Sequence, residues 1–344
     1  MSPTALFMIT LGIVTSTLTV MSANHWLTAW LGLELNMISI LPTITKQKHP
    51  QATEAATKYF LTQAIASALM LFSSTLNAWQ TGSWDITQLN NKLSCILMVS
   101  ALTMKMGAAP AHFWLPEVLQ GSTMMTALII TTWQKIAPIT LLYMISNHIQ
   151  PSIVLTIGLL SIMVGGWGGI NQTQLRKMMA YSSIAHLGWT MTAISITPNI
   201  ALTNIIIYMT MSTPFFLLLT TTMSKTLQTM TTTWIHAPTT AIVMTLLLFS
   251  MAGLPPLTGF TPKLLILNML VTHKLTILAT TMALLSLLSL VFYLRTTYLL
   301  TSMATPTTTQ STTLWRLKTN QNQTTTILTP IALFNLTILP TLLM

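Results

Sequence analysis

The sequence predicts an all-α, polytopic membrane protein. Only 5% of its 344 residues are charged and 52% are hydrophobic, whereas a soluble domain carries about 25% charged residues to cover its surface in water. Uncharged stretches run from Tyr59 to Trp84, Ile136 to Leu175, Met178 to Ser224 and Thr319 to the end. One span needs about 20 apolar residues, so several of these stretches hold two. No strand-rich or polar segment is long enough for a second fold, and residues 1–344 read as one membrane domain.

Hydropathy and helix breakers place about eleven helices. They lie near 3–22, 25–45, 57–79, 92–120, 122–145, 150–170, 174–196, 199–223, 238–270, 274–298 and 323–343. The connections "KQKHPQATEAATK", "QTGSWDITQLNNK" and "SMATPTTTQSTTLWRLKTNQNQ" are polar. The helices near 92–120 and 238–270 are broken, because "KMGAAPAHFWLP" and "FSMAGLPPLTGFTPK" set Gly and Pro inside long apolar runs. Unsatisfied backbone in lipid costs several kcal/mol, so a broken helix persists only where it is buried in protein or lines a wet cavity. Two such breaks in the two halves of a chain point to the working site of a transporter built from repeated units.

Charge distribution sets the orientation. Lys46, Lys48, Lys58, Arg176, Lys177, Lys225, Arg316 and Lys318 fall on alternate connections, counted from the N-terminus, and the other side holds little beyond Lys92 and Lys274. Basic connections stay on the matrix or cytoplasmic side. The N-terminus is expected there, and an odd number of spans puts the C-terminus opposite. "MSPTALFMITLGIVTSTLTV" is itself a span, without the charged n-region of a secretory signal or the Arg-rich character of a transit peptide.

The net charge of +10 does not mark a nucleic-acid binder, since the cations are scattered and form no basic face with interleaved aromatics. The single cysteine, Cys95, excludes an internal disulfide framework and an all-cysteine iron–sulfur site, and reads as apolar filler. "VGGWGGIN" fails the Gly-x-Gly-x-x-Gly spacing and follows no strand, so close helix packing explains it better. Asn171-Gln172-Thr173 and Asn322-Gln323-Thr324 are glycosylation sequons in pattern only.

Few ionisable groups remain, and they carry the functional reading. Of the four acids, Glu54 and Asp85 fall in the expected loops, and Glu117 lies near the end of the first broken helix. Glu34 sits inside "WLTAWLGLELNMISIL", where an ionised carboxylate costs about 3 kcal/mol unless paired. Lys105, Lys135 and Lys263 also lie within spans. An intramembrane ionisable residue marks a proton or ion path, or else a structural ion pair. A buried amine gives up its proton more readily than a solvated one, and a carboxylate about 5 Å away contributes roughly 3 kcal/mol at an effective dielectric of 20. Making and breaking a Glu34–Lys105 pair would therefore switch the lysine between holding and releasing a proton. Pro138, three residues past Lys135, frees a backbone carbonyl one turn earlier, a candidate seat for that amine. His112 and His186 are possible relays, or membrane histidines satisfied by backbone carbonyls.

Three motifs together resemble the antiporter-like membrane subunits of proton-pumping NADH:ubiquinone oxidoreductase, respiratory complex I. They are "WLGLELNMISILP" around Glu34, "KMGAAPAHFWLPEVLQG" around Lys105, and "YSSIAHLGW" with "SMAGLPPLTGFTPK" around His186 and Lys263. The resemblance covers essentially the whole chain and implies an antiporter-like inverted repeat. It also implies that Glu34 and Lys105 form a first proton site, that Lys135 connects it inward and that Lys263 completes the path. Some relatives place a carboxylate at the last position, and the larger ones carry extra helices ahead of the glutamate. The resemblance further implies no cofactor in this chain, with NADH, FMN, iron–sulfur centres and ubiquinone served by other subunits of a hetero-oligomer. The high Met and Thr usage is similar to that of proteins translated inside animal mitochondria, which implies the mitochondrial inner membrane. A free-standing cation/proton antiporter and a purely structural subunit are the competing readings.

Overall fold

A computed structural model describes residues 2–46, 49–89, 91–302 and 323–334. Every regular element among the described residues is a helix, apart from two isolated β-bridges. It packs as two compact units, Met1–Ser161 with Met191–Pro198, and Ile162–Thr190 with Asn199–Met344.

The first unit contains α1 (Pro3–Met21), α2 (Trp26–Ile44), α3 (Pro50–Thr81), α4 (Lys92–Met106), α5 (Trp114–Gly121), α6 (Met124–Thr131) and α7 (Ile136–Met144). Here α1 packs on α2 and α7, while α3 packs on α2, α4 and α5. Next come α8 (Pro151–Ile170) and α9 (Leu175–Ile194), each of which contributes residues to both units. The second unit continues with α10 (Pro198–Thr221), α11 (Leu227–Thr231), α12 (Thr233–His236), α13 (Pro238–Ala252), α14 (Phe260–Thr272), α15 (Thr276–Ser302) and α16 (Gln323–Phe334). There α15 packs against α11, α13 and α14.

Among the described residues, seven helical segments are long and apolar enough to cross a membrane: α1, α2, α3, α6 with α7, α8, α10 and α15. Long outward stripes, such as Leu6, Phe7, Leu11, Val14 and Leu18 on α1, are exposed. Water would penalise such a surface, whereas lipid accepts it. The protein is a multi-pass membrane protein.

Both expected breaks are present. Gly107, at φ 78°, ends α4, and Gly253, at φ 82°, ends α13. Each glycine takes the left-handed conformation that closes a helix end at little steric cost. Its N–H, and that of the next residue, turn back onto the helix's last carbonyls.

Three sequence expectations need correction. The helix expected over 122–145 is interrupted by a 3₁₀ turn at Trp133–Lys135. There Pro138 supplies no N–H for the Gln134 carbonyl, and the Thr131 and Thr132 hydroxyls bond back to Ala127 and Leu128. Glu54 is not in a loop, because α3 begins at Pro50 with His49 as its N-cap; proline suits a first helical position, where no N–H is needed. Lys58 likewise belongs to α3. Arg316, Lys318, Lys48, Asn322 and the end of the 323–343 helix lie outside the described residues.

The two bridges share one pattern. The first clasps the α1–α2 connection to the α3–α4 connection, with Trp26 N–H donating to Trp84 O and Ile86 N–H to Asn24 O. In the second, Leu175 N–H donates to Lys225 O and Leu227 N–H to Thr173 O, joining the α8–α9 connection to the α10–α11 connection.

Candidate functional site

Lys105 occupies the last turn of α4 and is 7% exposed. A helix leaves its last four carbonyls without intrahelical partners, and here side chains from neighbouring helices meet some of them. Trp114 Nε1 of α5 donates to Met104 O at 3.2 Å, and Gln63 Nε2 of α3 donates to Lys105 O at 3.3 Å. Tyr59 sets its ring edge-on to Trp114, with centroids 5.7 Å apart. Lys105 thus stands in the last turn of α4, at the negative end of the helix dipole, where a cation is stabilised.

Lys105 borders a small cavity of about 20 Å³, room for about one water molecule. Lys135, Asn36, Tyr59, Gln63 and Gln134 share its lining. Lys135 is 3% exposed and belongs to the 3₁₀ turn that interrupts the α6–α7 span. The structure thus brings two of the sequence-predicted lysines to one cavity. It adds a polar contact with no visible sequence signal: Gln134 Nε2 donates to Asn36 Oδ1 at 2.9 Å. Those two amides stand 98 residues apart in apolar spans, where each reads as an isolated polar residue.

Glu34 is half-buried on α2. The expected pair is not closed as an ion pair. Among the described residues the ion pairs are Lys58–Glu54 and Lys58–Glu117, each at 2.5 Å. Glu117, in the first turn of α5, is half-exposed and tied through Lys58 to α3.

In the second unit Lys263, near the start of α14, donates from Nζ to Ala252 O at 2.7 Å. That carbonyl ends α13, so this amine also sits at a helix C-terminus. Gly253 makes the seat possible, since a Cβ there would meet Lys263 Cδ and Nζ at 3.0 Å. The amine lies 6.0 Å from the Trp189 ring centroid. His186, one turn before Trp189 on α9, is buried with its ring 4.9 Å from that of Tyr208. In the first break, His112 makes a local contact: its Nδ1 lies 3.1 Å from Pro110 O. A carbonyl only accepts, so Nδ1 carries the proton.

The arrangement can hold protons on buried amines. Each of Lys105, Lys135 and Lys263 stands at a discontinuity in a helix, where backbone carbonyls offer partial negative charge.

Comparison with known proteins identifies the family. The family model described as NADH:quinone oxidoreductase/Mrp antiporter, transmembrane, matches residues 23–289. NADH-ubiquinone oxidoreductase chain 2 of Varanus melinus is 52% identical over 340 residues, covering 99% of this chain and 98% of that one. The protein of the same name from Xenopus laevis is 52% identical over 295 residues, 86% of each chain. Among solved structures, a chain of respiratory complex I from Thermus thermophilus superposes with a TM-score of 0.84 at 24% identity, covering 98% of this chain and 79% of that one. A chain of an Mrp complex from Dietzia gives a TM-score of 0.77 at 16% identity, over 84% of this chain and 59% of that one; both likenesses concern the fold. With a family model over most of its length and relatives at half identity end to end, the chain belongs to the NADH:quinone oxidoreductase/Mrp antiporter membrane family, in its NADH-ubiquinone oxidoreductase chain 2 branch.

Proposed function

We propose that this chain is a core membrane subunit of NADH:ubiquinone oxidoreductase and carries a proton path coupled to electron transfer from NADH to ubiquinone. The single observation that supports this most is the cavity shared by Lys105 and Lys135, two buried amines on separate helix breaks. In this reading Glu34 tunes Lys105, Lys105 exchanges a proton with Lys135, and Lys263 completes the path, with His186 and His112 as lesser relays. The chain itself holds no redox cofactor. NADH, FMN, iron–sulfur centres and ubiquinone belong to its partner subunits, and lipid surrounds its outer face.

Connectivity supports a finer architecture. Counting α4 with α5 and α6 with α7 as single crossings, α1 to α7 make five; α8, α9, α10, α13 with α14 and α15 make another five. Five is odd, so the second series enters the membrane from the opposite side, which makes it an inverted repeat. The two matching clasps support this, each joining the connection after the first helix of its series to the connection after the third. A final span gives eleven within one antiporter-like domain. The membrane is the mitochondrial inner membrane, with the N-terminus in the matrix and the C-terminus in the intermembrane space.

The test is NADH-driven proton uptake by vesicles containing the assembled complex. Lys105→Met should lower the protons taken up per NADH oxidised while the complex still assembles. A wild-type ratio in that variant would contradict the proposal.

A further inference from the structure

We propose that Asn36 and Gln134 form a positioning pair that holds water between the Lys105 and Lys135 amines and so governs proton exchange across the cavity. This rests on the proton-path reading above and adds to it residues that neither titrate nor carry charge.

The argument starts from where the two amides lie. Asn36 is on α2, 3% exposed and two residues past Glu34. Gln134 is in the 3₁₀ turn beside Lys135. Their bond of 2.9 Å therefore links the helix that carries the glutamate to the turn that carries the second amine. Both residues line the cavity that Lys105 and Lys135 share. A primary amide has two donor hydrogens and two acceptor lone pairs. The Gln134–Asn36 bond uses one donor and one acceptor, so the pair keeps both kinds of capacity toward the cavity.

A polar cavity with several convergent partners holds ordered water. Two ammonium groups facing each other would only donate. An amine that has lost its proton must find a donor, and a protonated one must find an acceptor. A water oriented by an amide oxygen and an amide N–H meets both needs. In the step, Lys105 goes from R–NH3⁺ to R–NH2 by passing a proton to the water oxygen. The water passes one of its other protons to Lys135, which goes from R–NH2 to R–NH3⁺. The water is regenerated, the amides gain and lose no proton, and no electron moves. The break itself supports the arrangement. A continuous helix through residue 135 would use the Gln134 carbonyl in a backbone bond, whereas Pro138 supplies no N–H to take it up.

The experiment uses the intact, assembled complex in vesicles and reads protons taken up per NADH oxidised, in H2O and in D2O. Asn36→Leu and Gln134→Met keep side-chain size but remove the amides. Each should move the ratio at least half-way to that of Lys105→Met, and the double variant should fall no further than either single one, because the two act as a unit. The solvent isotope effect on proton uptake should rise in both, since transfer across the cavity becomes slow; a merely loosened structure would leave it unchanged. The exchange Asn36→Gln with Gln134→Asn preserves the total reach of the pair and should restore more than half of the lost ratio. If either apolar variant does not assemble, Gln134→Asn alone, one methylene too short to reach Asn36, carries the same expectation. A wild-type ratio and isotope effect in these variants, with Lys105→Met impaired, overturns the pair and leaves the proton path standing. A wild-type ratio in Lys105→Met removes the path itself.

Discussion

Gly253 shows how much a single missing atom can decide in this membrane protein. Its φ of 82° is costly for any residue with a Cβ, and its bare α-carbon leaves room for the Lys263 amine to reach Ala252 O. Gly253→Ala should destabilise the chain by about 1–2 kcal/mol from backbone strain alone and push Lys263 off its carbonyl seat. Thermal melting of the assembled complex should show a lower midpoint, and NADH-driven proton uptake should fall with it. An unchanged midpoint and full uptake would show that the seat does not matter. Lys105, Lys135 and Lys263 were visible in the sequence because a charge inside an apolar span is conspicuous. The contacts around them were not, since Ala252 O, the Gln63 amide that reaches the Lys105 carbonyl and the Asn36–Gln134 bond come from residues with no charge and no spacing rule to link them.

At the scale of the elements, each of these three lysines stands at a helix discontinuity: α4 before Gly107, the 3₁₀ turn before α7, and α14 after Gly253. The first and third breaks were legible because Gly and Pro cluster there. The second was not, because Pro138 alone in an apolar run reads as a kink, and the back-bonding of Thr131 and Thr132 depends on rotamers. Glu54 was misplaced for a related reason: the polar "HPQATEAATK" resembles a loop, although Pro50 and the alanines favour a helix start. Pro138→Ala tests the second break. It restores an N–H that can bond Gln134 O, so the 3₁₀ turn should relax toward α-helix. Hydrogen exchange over residues 134–138 should then slow and proton uptake per NADH should drop. Unchanged exchange with full uptake would show that the turn is not set by the proline.

Across the whole molecule, the four acids Glu34, Glu54, Asp85 and Glu117 all belong to the first unit. The second unit, which carries Arg176, Lys177, Lys225, Lys263 and Arg295, has no carboxylate side chain. Its buried amine, Lys263, is therefore held by a backbone carbonyl, and the proposed orientation puts Arg176, Lys177 and Lys225 on the matrix side with Lys274 opposite. In a Cys95→Ser background, Thr53→Cys at the exposed start of α3 should react with an impermeant thiol reagent in inverted vesicles and not in mitoplasts, while Lys274→Cys should do the reverse. The opposite pattern would invert the proposed orientation. In the proposed path protons move through amines seated at helix breaks, and Lys135 is its sharpest test: buried, beside a break that the sequence did not announce, and lining the cavity of Lys105. The most direct measurement is the number of protons taken up per NADH oxidised by vesicles containing the assembled complex with Lys135→Met, and with Lys135→Arg, whose guanidinium keeps its proton at working pH. Both variants should assemble and both should pump fewer protons than the unaltered complex; full pumping by Lys135→Met would contradict the account.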